Sequence, residues 1–347
     1  MNLSEFDYHL PQNRIAQKPA SPKDHSKLMV LDRQSGEISN HHFFEIKNFL
    51  KRGDIIVLNN SKVFPARLFG NKIETNTKAE ILLIKPDQKN YKNLWIRNWI
   101  IIGKPNLRVG QKIRFSEKLI GEIKKDFGQE KIICFSKKGN ELKKEVFKIG
   151  KTPTPPYIKS KTPEKKLQNL YQTIYAKNIG SVAAPTAGFH FTNRLIKKLK
   201  QKGVIFKFVT LHIGLGTFQP IRTNIIEEHR MLAEWAEIDK KTCDFLNKSK
   251  KQRKRIISVG TTSTRTLEGF TQNNKLTSGQ KPINIFIYPG YKFKFIDCLI
   301  TNFHLPKSTP LLLACAFAKK ELIFKSYQKA IKDNYRFYSF GDAMIII

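Results

Sequence analysis

The sequence predicts a mixed α/β protein with an antiparallel β-barrel inserted into it. Three observations carry that expectation. From Tyr171 onward, apolar strand candidates alternate with helical segments, as in an α/β layer. Two strand candidates of the same kind lie before residue 60. Between them, from about Val63 to Gly150, short alternating segments follow one another, with no convincing long helix before Glu141; this is the texture of a small antiparallel sheet or barrel. The α/β part is therefore expected to be discontinuous, residues 1–62 and 151–347, with residues 63–150 as the inserted β-barrel domain.

In chain order, the first strand candidates are residues 27–31 and 54–58, with helical spacing over 42–50 between them. Residues 54–58 form a nearly continuous apolar run, as buried parallel strands do, and end at Asn59-Asn60-Ser61. In the inserted segment the strand candidates are 66–69, 79–84, 95–102, 112–115, 120–124 and 131–135. Turn residues separate them, including Pro86-Asp87, Gly103-Lys104-Pro105, Gly110 and Gly128. Trp95, Trp99 and Tyr91 could stack on bases, although core packing is the simpler expectation for at least two of them. Pro153, Pro155, Pro156 and Pro163 mark an extended connection.

The stretch from Tyr171 to Phe218 concentrates the signals of a site. His190 and His212 both stand beside small residues. The run from Ala183 to Gly188 has little bulk, so a ligand can approach the backbone, and Gly188 can take a positive φ. Thr192 is placed to cap a helix through Leu195, Ile196 and Leu199 that Gly203 ends. Residues 204–213 read as a strand running into Gly214-Leu215-Gly216-Thr217. Ligands of open α/β sheets bind where strands end, which brings both histidines toward one crevice. The alternative for each histidine is a satisfied, half-buried structural residue.

Residues 255–259 form a further strand candidate entering Gly260-Thr261-Thr262-Ser263, after which Arg265-Thr266-Leu267-Glu268 opens a helix. Such a hydroxyl-rich turn offers N–H groups and hydroxyls to a polar ligand, or serves only as an N-cap. Residues 283–287 and 295–300 are the next strand candidates; the second leads into Thr301-Asn302-Phe303-His304. Ser308 caps a helix over 311–318, and a last strand over 344–347 follows Gly341-Asp342.

Hydrophobic content of 40% and charged content of 26% describe a globular chain. The N-terminal residues do not read as a signal peptide, and the apolar run 311–318 is too short to span a bilayer. The four cysteines have no zinc or redox spacing and read as reduced cytosolic thiols. The charge is extreme, 63 Lys+Arg against 28 Asp+Glu, or +35. It points either to a polyanionic partner such as RNA or to compositional drift, since lysine outnumbers arginine 49 to 14 beside abundant Asn, Ile and Phe.

Six long motifs in series then carry a resemblance: GSVAAPTAGFHFT, VTLHIGLGTF, GTTSTRTLE, IYPGYKFK, LITNFHLPKSTPLLL and YRFYSFGDAM, with LPQNRIAQKP and GDIIVLNNSKVFPARLFG near the N-terminus. Together they resemble the S-adenosylmethionine:tRNA ribosyltransferase-isomerases of queuosine biosynthesis. The resemblance covers nearly the whole chain. It implies an α/β domain that binds S-adenosylmethionine, with the β-barrel inserted into it. It also implies a tRNA substrate carrying 7-aminomethyl-7-deazaguanine at the wobble position. The ribosyl part of S-adenosylmethionine moves onto that base and rearranges, giving epoxyqueuosine-tRNA with release of adenine and methionine. No metal and no separate cofactor is implied, S-adenosylmethionine being consumed as substrate. The expected protein is a cytoplasmic monomer without membrane association.

This chemistry asks for a base to remove a ribose C5′ proton made acidic by the sulfonium, and for a proton donor at the departing adenine. His190, His212, His229 and His304 are the titratable candidates inside matching motifs, and the residues alone do not divide the two roles among them. Candidate substrate-binding residues are Gly188, Gly214, Gly216, Thr217, Glu234, Thr261, Thr262, Arg265, Glu268, Asn302, Arg336 and Asp342. The arginines suit carboxylate or phosphate, and the carboxylates suit a histidine or an ammonium. The chain departs from the family pattern at three places. Leu232 stands where a second histidine of a His-Met-His-x-Glu motif is common, Leu170 replaces a basic residue, and Lys62 replaces an arginine. Two other readings remain at this stage. A methyltransferase is disfavoured because no Gly-rich loop follows residues 54–58; a non-catalytic RNA-binding protein would make the charge the main signal.

Overall fold

The structure is a computed structural model that describes residues 1–88, 93–159, 162–214 and 221–347. The chain opens with β1 (Lys27–Leu31) and β2 (Ile38–His42), then β3 (Ile55–Asn59) and the short β4 (Ser61–Val63). Six strands follow, with no helix between them among the described residues: β5 (Arg67–Lys72), β6 (Lys78–Pro86), β7 (Asn98–Lys104), β8 (Lys112–Ser116), β9 (Leu119–Phe127) and β10 (Glu130–Phe135). They close into an antiparallel barrel in the order β10-β7-β6-β5-β8-β9. Inward residues such as Leu68, Ile81, Ile101, Ile113, Ile123 and Ile133 fill it. Helix α1 (Gly139–Ile149) adds Leu142 and Val146 to the same core. Trp99 is buried in this core and Trp95 packs on Phe64, Trp99 and Phe147; Tyr91 lies outside the described residues.

The remaining elements are α2 (Glu164–Leu170), β11 (Asn178–Ser181), α3 (Asn193–Gln201), β12 (Ile205–His212), β13 (Glu234–Ile238), α4 (Lys240–Lys251), β14 (Ile256–Val259) and α5 (Gly260–Gly269). After them come the hairpin β15 (Thr271–Gln272) and β16 (Lys275–Leu276), then β17 (Gly279–Ile283), β18 (Cys298–Asn302), α6 (Thr309–Ala318), α7 (Lys320–Lys332) and β19 (Ala343–Ile346). Nine strands form one sheet in the order β17-β13-β12-β3-β14-β18-β19-β1-β2. Its middle strands β12, β3, β14 and β18 run parallel. Alternate residues of β3 serve opposite faces: Ile55 and Val57 join one core layer, Ile56 and Leu58 the other. Burial on both faces explains why these strands are continuously apolar. The caps fall where the residue types indicate: Thr192 accepts from Leu195 N on α3, and Ser308 from Leu311 N on α6. All four cysteines are free, and no helix among the described residues is long and apolar enough to cross a membrane.

Four expectations are corrected. Residues 42–50 form only a 3-10 helix, Phe43–Asn48. The Gly260-Thr261-Thr262-Ser263 stretch is not a turn before a helix but the first turn of α5 itself. The strand expected over 283–287 ends at Ile283, because its partner β13 begins opposite it at Glu234 and the Ile285 carbonyl is taken by Arg265 Nε. The strand expected over 295–300 starts only at Cys298. The N–H groups of Phe295 and Ile296 donate to the Glu268 carboxylate instead of a strand partner.

Candidate active site

Strands β3, β12, β14 and β18 point their C-terminal ends the same way, and a cleft opens there, as the rule for open α/β sheets requires. It holds about 970 Å³ counted out to its open mouth. The segment after each strand supplies a wall: Ile213 after β12, Gly260-Thr261-Thr262 after β14, and Phe303, His304 and Leu305 after β18. Ala183 to Ala187, Tyr157, Tyr171, Tyr338 and Ser339 line the rest. Asn59 fixes the floor. Its amide nitrogen donates to the Leu211 carbonyl (3.0 Å) and the Thr262 hydroxyl (3.3 Å), and its oxygen accepts from Leu211 N and Ser61 N. One buried side chain thus ties β3, β12, β4 and α5 together.

The four histidines separate by position. His304 lines the cleft; its Nε2 lies 2.8 Å from Thr301 Oγ1, its backbone N–H donates to Tyr327 Oη, and its carbonyl accepts from Tyr8 Oη. Among the described residues its Nδ1 has no hydrogen bond. Burial lowers its pKa to about 3, so the ring is neutral near pH 7. His190 lies one layer behind. Its Nδ1 is 2.7 Å from Ser26 Oγ and its Nε2 is 3.1 Å from Asn302 Nδ2, and Asn302 in turn lines the cleft and accepts from Thr186 Oγ1. Burial lowers the His190 pKa to about 4 and that of His212 likewise to about 4. His212 ends β12 with its ring packed on Gly180, where an added Cβ would lie 2.8 Å from it. His229 is half-buried edge-to-face on Phe286, away from the cleft lining.

Of the other expected site residues, Thr261, Thr262 and Asn302 line the cleft. Glu234 and Arg265 form a buried ion pair beside it; Glu234 also accepts from Gly214 N (3.0 Å), fixing the end of the strand segment there. Gly188 has no positive φ. Its lack of a Cβ matters because the Tyr175 hydroxyl packs directly on its Cα. Glu268, Arg336 and Asp342 lie away from the cleft lining. Glu268 accepts from Lys294, Phe295 and Ile296 N–H groups and from Tyr291 Oη, while Asp342 binds Arg336 Nη2 (2.8 Å) and the N–H groups of Lys27 and Arg336. Gly216 and Thr217 lie outside the described residues. Tyr157, Tyr338 and Ser339 were not anticipated, whereas Thr186 lies in the low-bulk run and Tyr171 opens the stretch already singled out; only the density of prolines before Tyr157 hinted that its chain path was unusual. Among the described residues no group of three or more His, Cys, Asp or Glu gathers as a metal site.

Comparison with known proteins agrees along the entire chain. The family described as "Queuosine biosynthesis protein" matches residues 3–346. The S-adenosylmethionine:tRNA ribosyltransferase-isomerase of Staphylococcus epidermidis is 45% identical over 353 residues, and that of Halothermothrix orenii is 46% identical, each covering 100% of both chains. The crystal structure of the S-adenosylmethionine tRNA ribosyltransferase of Thermotoga maritima is 34% identical with a TM-score of 0.56, covering 99% of this chain and 100% of that one. A strand-end cleft in a nine-stranded sheet, a closed six-stranded barrel and end-to-end sequence similarity lead to one conclusion: the chain belongs to the queuosine biosynthesis protein family.

Proposed function

We propose that this chain transfers and isomerises the ribosyl moiety of S-adenosylmethionine onto 7-aminomethyl-7-deazaguanine at the tRNA wobble position, giving epoxyqueuosine-tRNA and releasing adenine and methionine. The observation that carries this reading is full-length similarity at 45% identity to enzymes of that name, on a fold with a strand-end cleft. S-adenosylmethionine is a substrate here, and the reaction needs no separate cofactor or metal. The protein acts as a cytoplasmic monomer on precursor-modified tRNA, and residues 63–150 are a barrel domain inserted in the catalytic one.

His304 is the proton-transfer residue in this reading. In the tautomer whose Nε2–H donates to Thr301 Oγ1, the Nδ1 lone pair is the base, and the sulfonium acidifies the neighbouring carbon whose proton that nitrogen takes. His190 is a positioning residue that fixes the Asn302 amide through Nε2. His212 and His229 act through packing. The later ring closure expels neutral methionine, which needs no acid.

The test is incubation with S-adenosylmethionine and precursor-modified tRNA, followed by analysis of the by-products. Adenine and methionine in equal amounts are expected. S-adenosylhomocysteine would make the protein a methyltransferase, and no turnover by folded protein on authentic substrate would remove the enzymatic reading.

A further inference from the structure

We infer that the cleft holds S-adenosylmethionine in one orientation, with the methionine carboxylate at the open N-terminus of α5 and the adenine against Tyr157, Tyr171 and Tyr338. This inference rests on the function proposed above and adds the placement of the ligand.

Among the described residues the cleft lining contains no Asp, Glu, Lys or Arg, and its histidine His304 is neutral. An anionic group on the ligand therefore depends on backbone donors or on a side chain reached through the wall. Helix α5 supplies the first. It runs for ten residues, its N-cap Val259 makes no side-chain cap, and its first residues Gly260, Thr261 and Thr262 face the cleft. Uncapped first-turn N–H groups and the positive end of the helix favour a carboxylate.

Arg265 supplies the second. It lies one turn on from Thr261, so both project from the same face of α5. Its residue is only 6% exposed, its Nη1 binds Glu234 and its Nε donates to the Ile285 carbonyl, yet its Nη2 is buried with no hydrogen-bond partner among the described residues. Thr261 and Pro310 line both the cleft and a small void that reaches Arg265. A buried guanidinium N–H left unmade is costly, and an anion beside Thr261 would satisfy it.

Tyr171 is fully buried. Its hydroxyl lies near Ser339 and the Ala184 backbone but makes no hydrogen bond of acceptable geometry with either. Tyr157 and Tyr338 stand beside it with ring centroids 4.8 Å apart, and Tyr157 Oη is 2.7 Å from Ser339 Oγ. A flat heteroaromatic base offers both the stacking face and the acceptor that this wall lacks.

The test measures dissociation constants on the complex with precursor-modified tRNA, using two unreactive ligands. S-adenosylhomocysteine carries the carboxylate, and S-adenosyl-3-thiopropylamine differs only in lacking it. The amine should bind the unaltered protein about tenfold more weakly or worse, the scale of lost hydrogen bonds to a charged group. Thr261→Asp places a fixed carboxylate where helices favour one, so folding is retained. It should weaken S-adenosylhomocysteine by about tenfold while leaving the amine within about threefold. Tyr171→Phe should weaken both ligands by the same factor. Equal affinity of the two ligands for the unaltered protein overturns the placement. So does a Thr261→Asp effect on tRNA affinity alone, which would put an RNA phosphate at α5. Binding as expected but without release of adenine and methionine from S-adenosylmethionine would instead overturn the proposed reaction.

Discussion

Acidification from about pH 7 to about pH 5 is expected to cost this fold several kcal/mol. His190 and His212 are both held neutral by burial, with pKa values lowered from 6.5 to about 4, and His304 is lowered to about 3. Because the folded pKa is depressed, the unfolded chain takes up protons first as the pH falls. Stability is therefore whole above about 6.5 and is lost progressively toward 4. At pH 5 each of these rings contributes a loss of about 2 kcal/mol relative to pH 7. Three together reach about 6 kcal/mol as an upper bound, comparable with the entire stability of a typical domain. Urea unfolding at about pH 7, 6 and 5 measures this. His190→Gln should reduce the slope below pH 6 by one proton, about 1.4 kcal/mol per pH unit. An unfolding free energy that is flat between pH 7 and 5, or a slope unchanged in the variant, would refute the reasoning.

Three further outcomes are expected. His304→Ala should cut turnover roughly 100-fold or more in a folded protein, the usual scale for lost acid–base help; near-normal turnover would take His304 out of the chemistry. Gly188→Ala should destabilise by about 1–3 kcal/mol because its Cβ meets the buried Tyr175 hydroxyl, and Tyr175→Phe should recover part of that in thermal melts; a Gly188→Ala melt like that of the unaltered protein defeats the steric argument. The logarithm of tRNA affinity should fall against the logarithm of salt with a slope on the order of −3 to −6, because an anticodon arm presents few phosphates to one cleft; a slope steeper than about −10 would mean that much more of the +35 charge grips RNA.

What could be read from the sequence follows from where its signals are local. The apolar run of β3 announces a strand buried on both faces, and Thr192 and Ser308 announce helix starts because their side chains satisfy first-turn N–H groups. The start of α5 stayed hidden for the converse reason: no side chain caps it, so threonines inside the helix read as a turn before it. Residues 295–297 look like strand, yet two of their N–H groups donate to Glu268 across the fold, and no local pattern reports such a partner. The same limit applies to the site. Glu268 and Asp342 are polar residues in dense motifs, which from sequence looks alike whether the carboxylate meets a ligand or a row of backbone N–H groups. Tyr157, Tyr171 and Tyr338 come from distant segments and become a wall only when the chain folds.

The barrel leaves and rejoins the main body at one point. Arg67 N donates to the Lys151 carbonyl (3.2 Å) and Lys151 N to the Arg67 carbonyl (2.8 Å), so an excursion of 84 residues, from 67 to 151, ends where it began. This shapes the order of assembly. Pairing β3 with β12 joins Ile55 to Ile205, 150 positions apart, but a barrel already closed at its neck reduces the free chain between them to about 66. The saving in loop entropy is only about 0.7 kcal/mol. More important, this non-local pairing no longer waits on a long search by a chain whose middle is unfolded. Barrel amides should accordingly gain protection in pulse-labelled refolding before those of β3 and β12. Simultaneous protection of both would mean that the neck forms last and the barrel gives the sheet no head start.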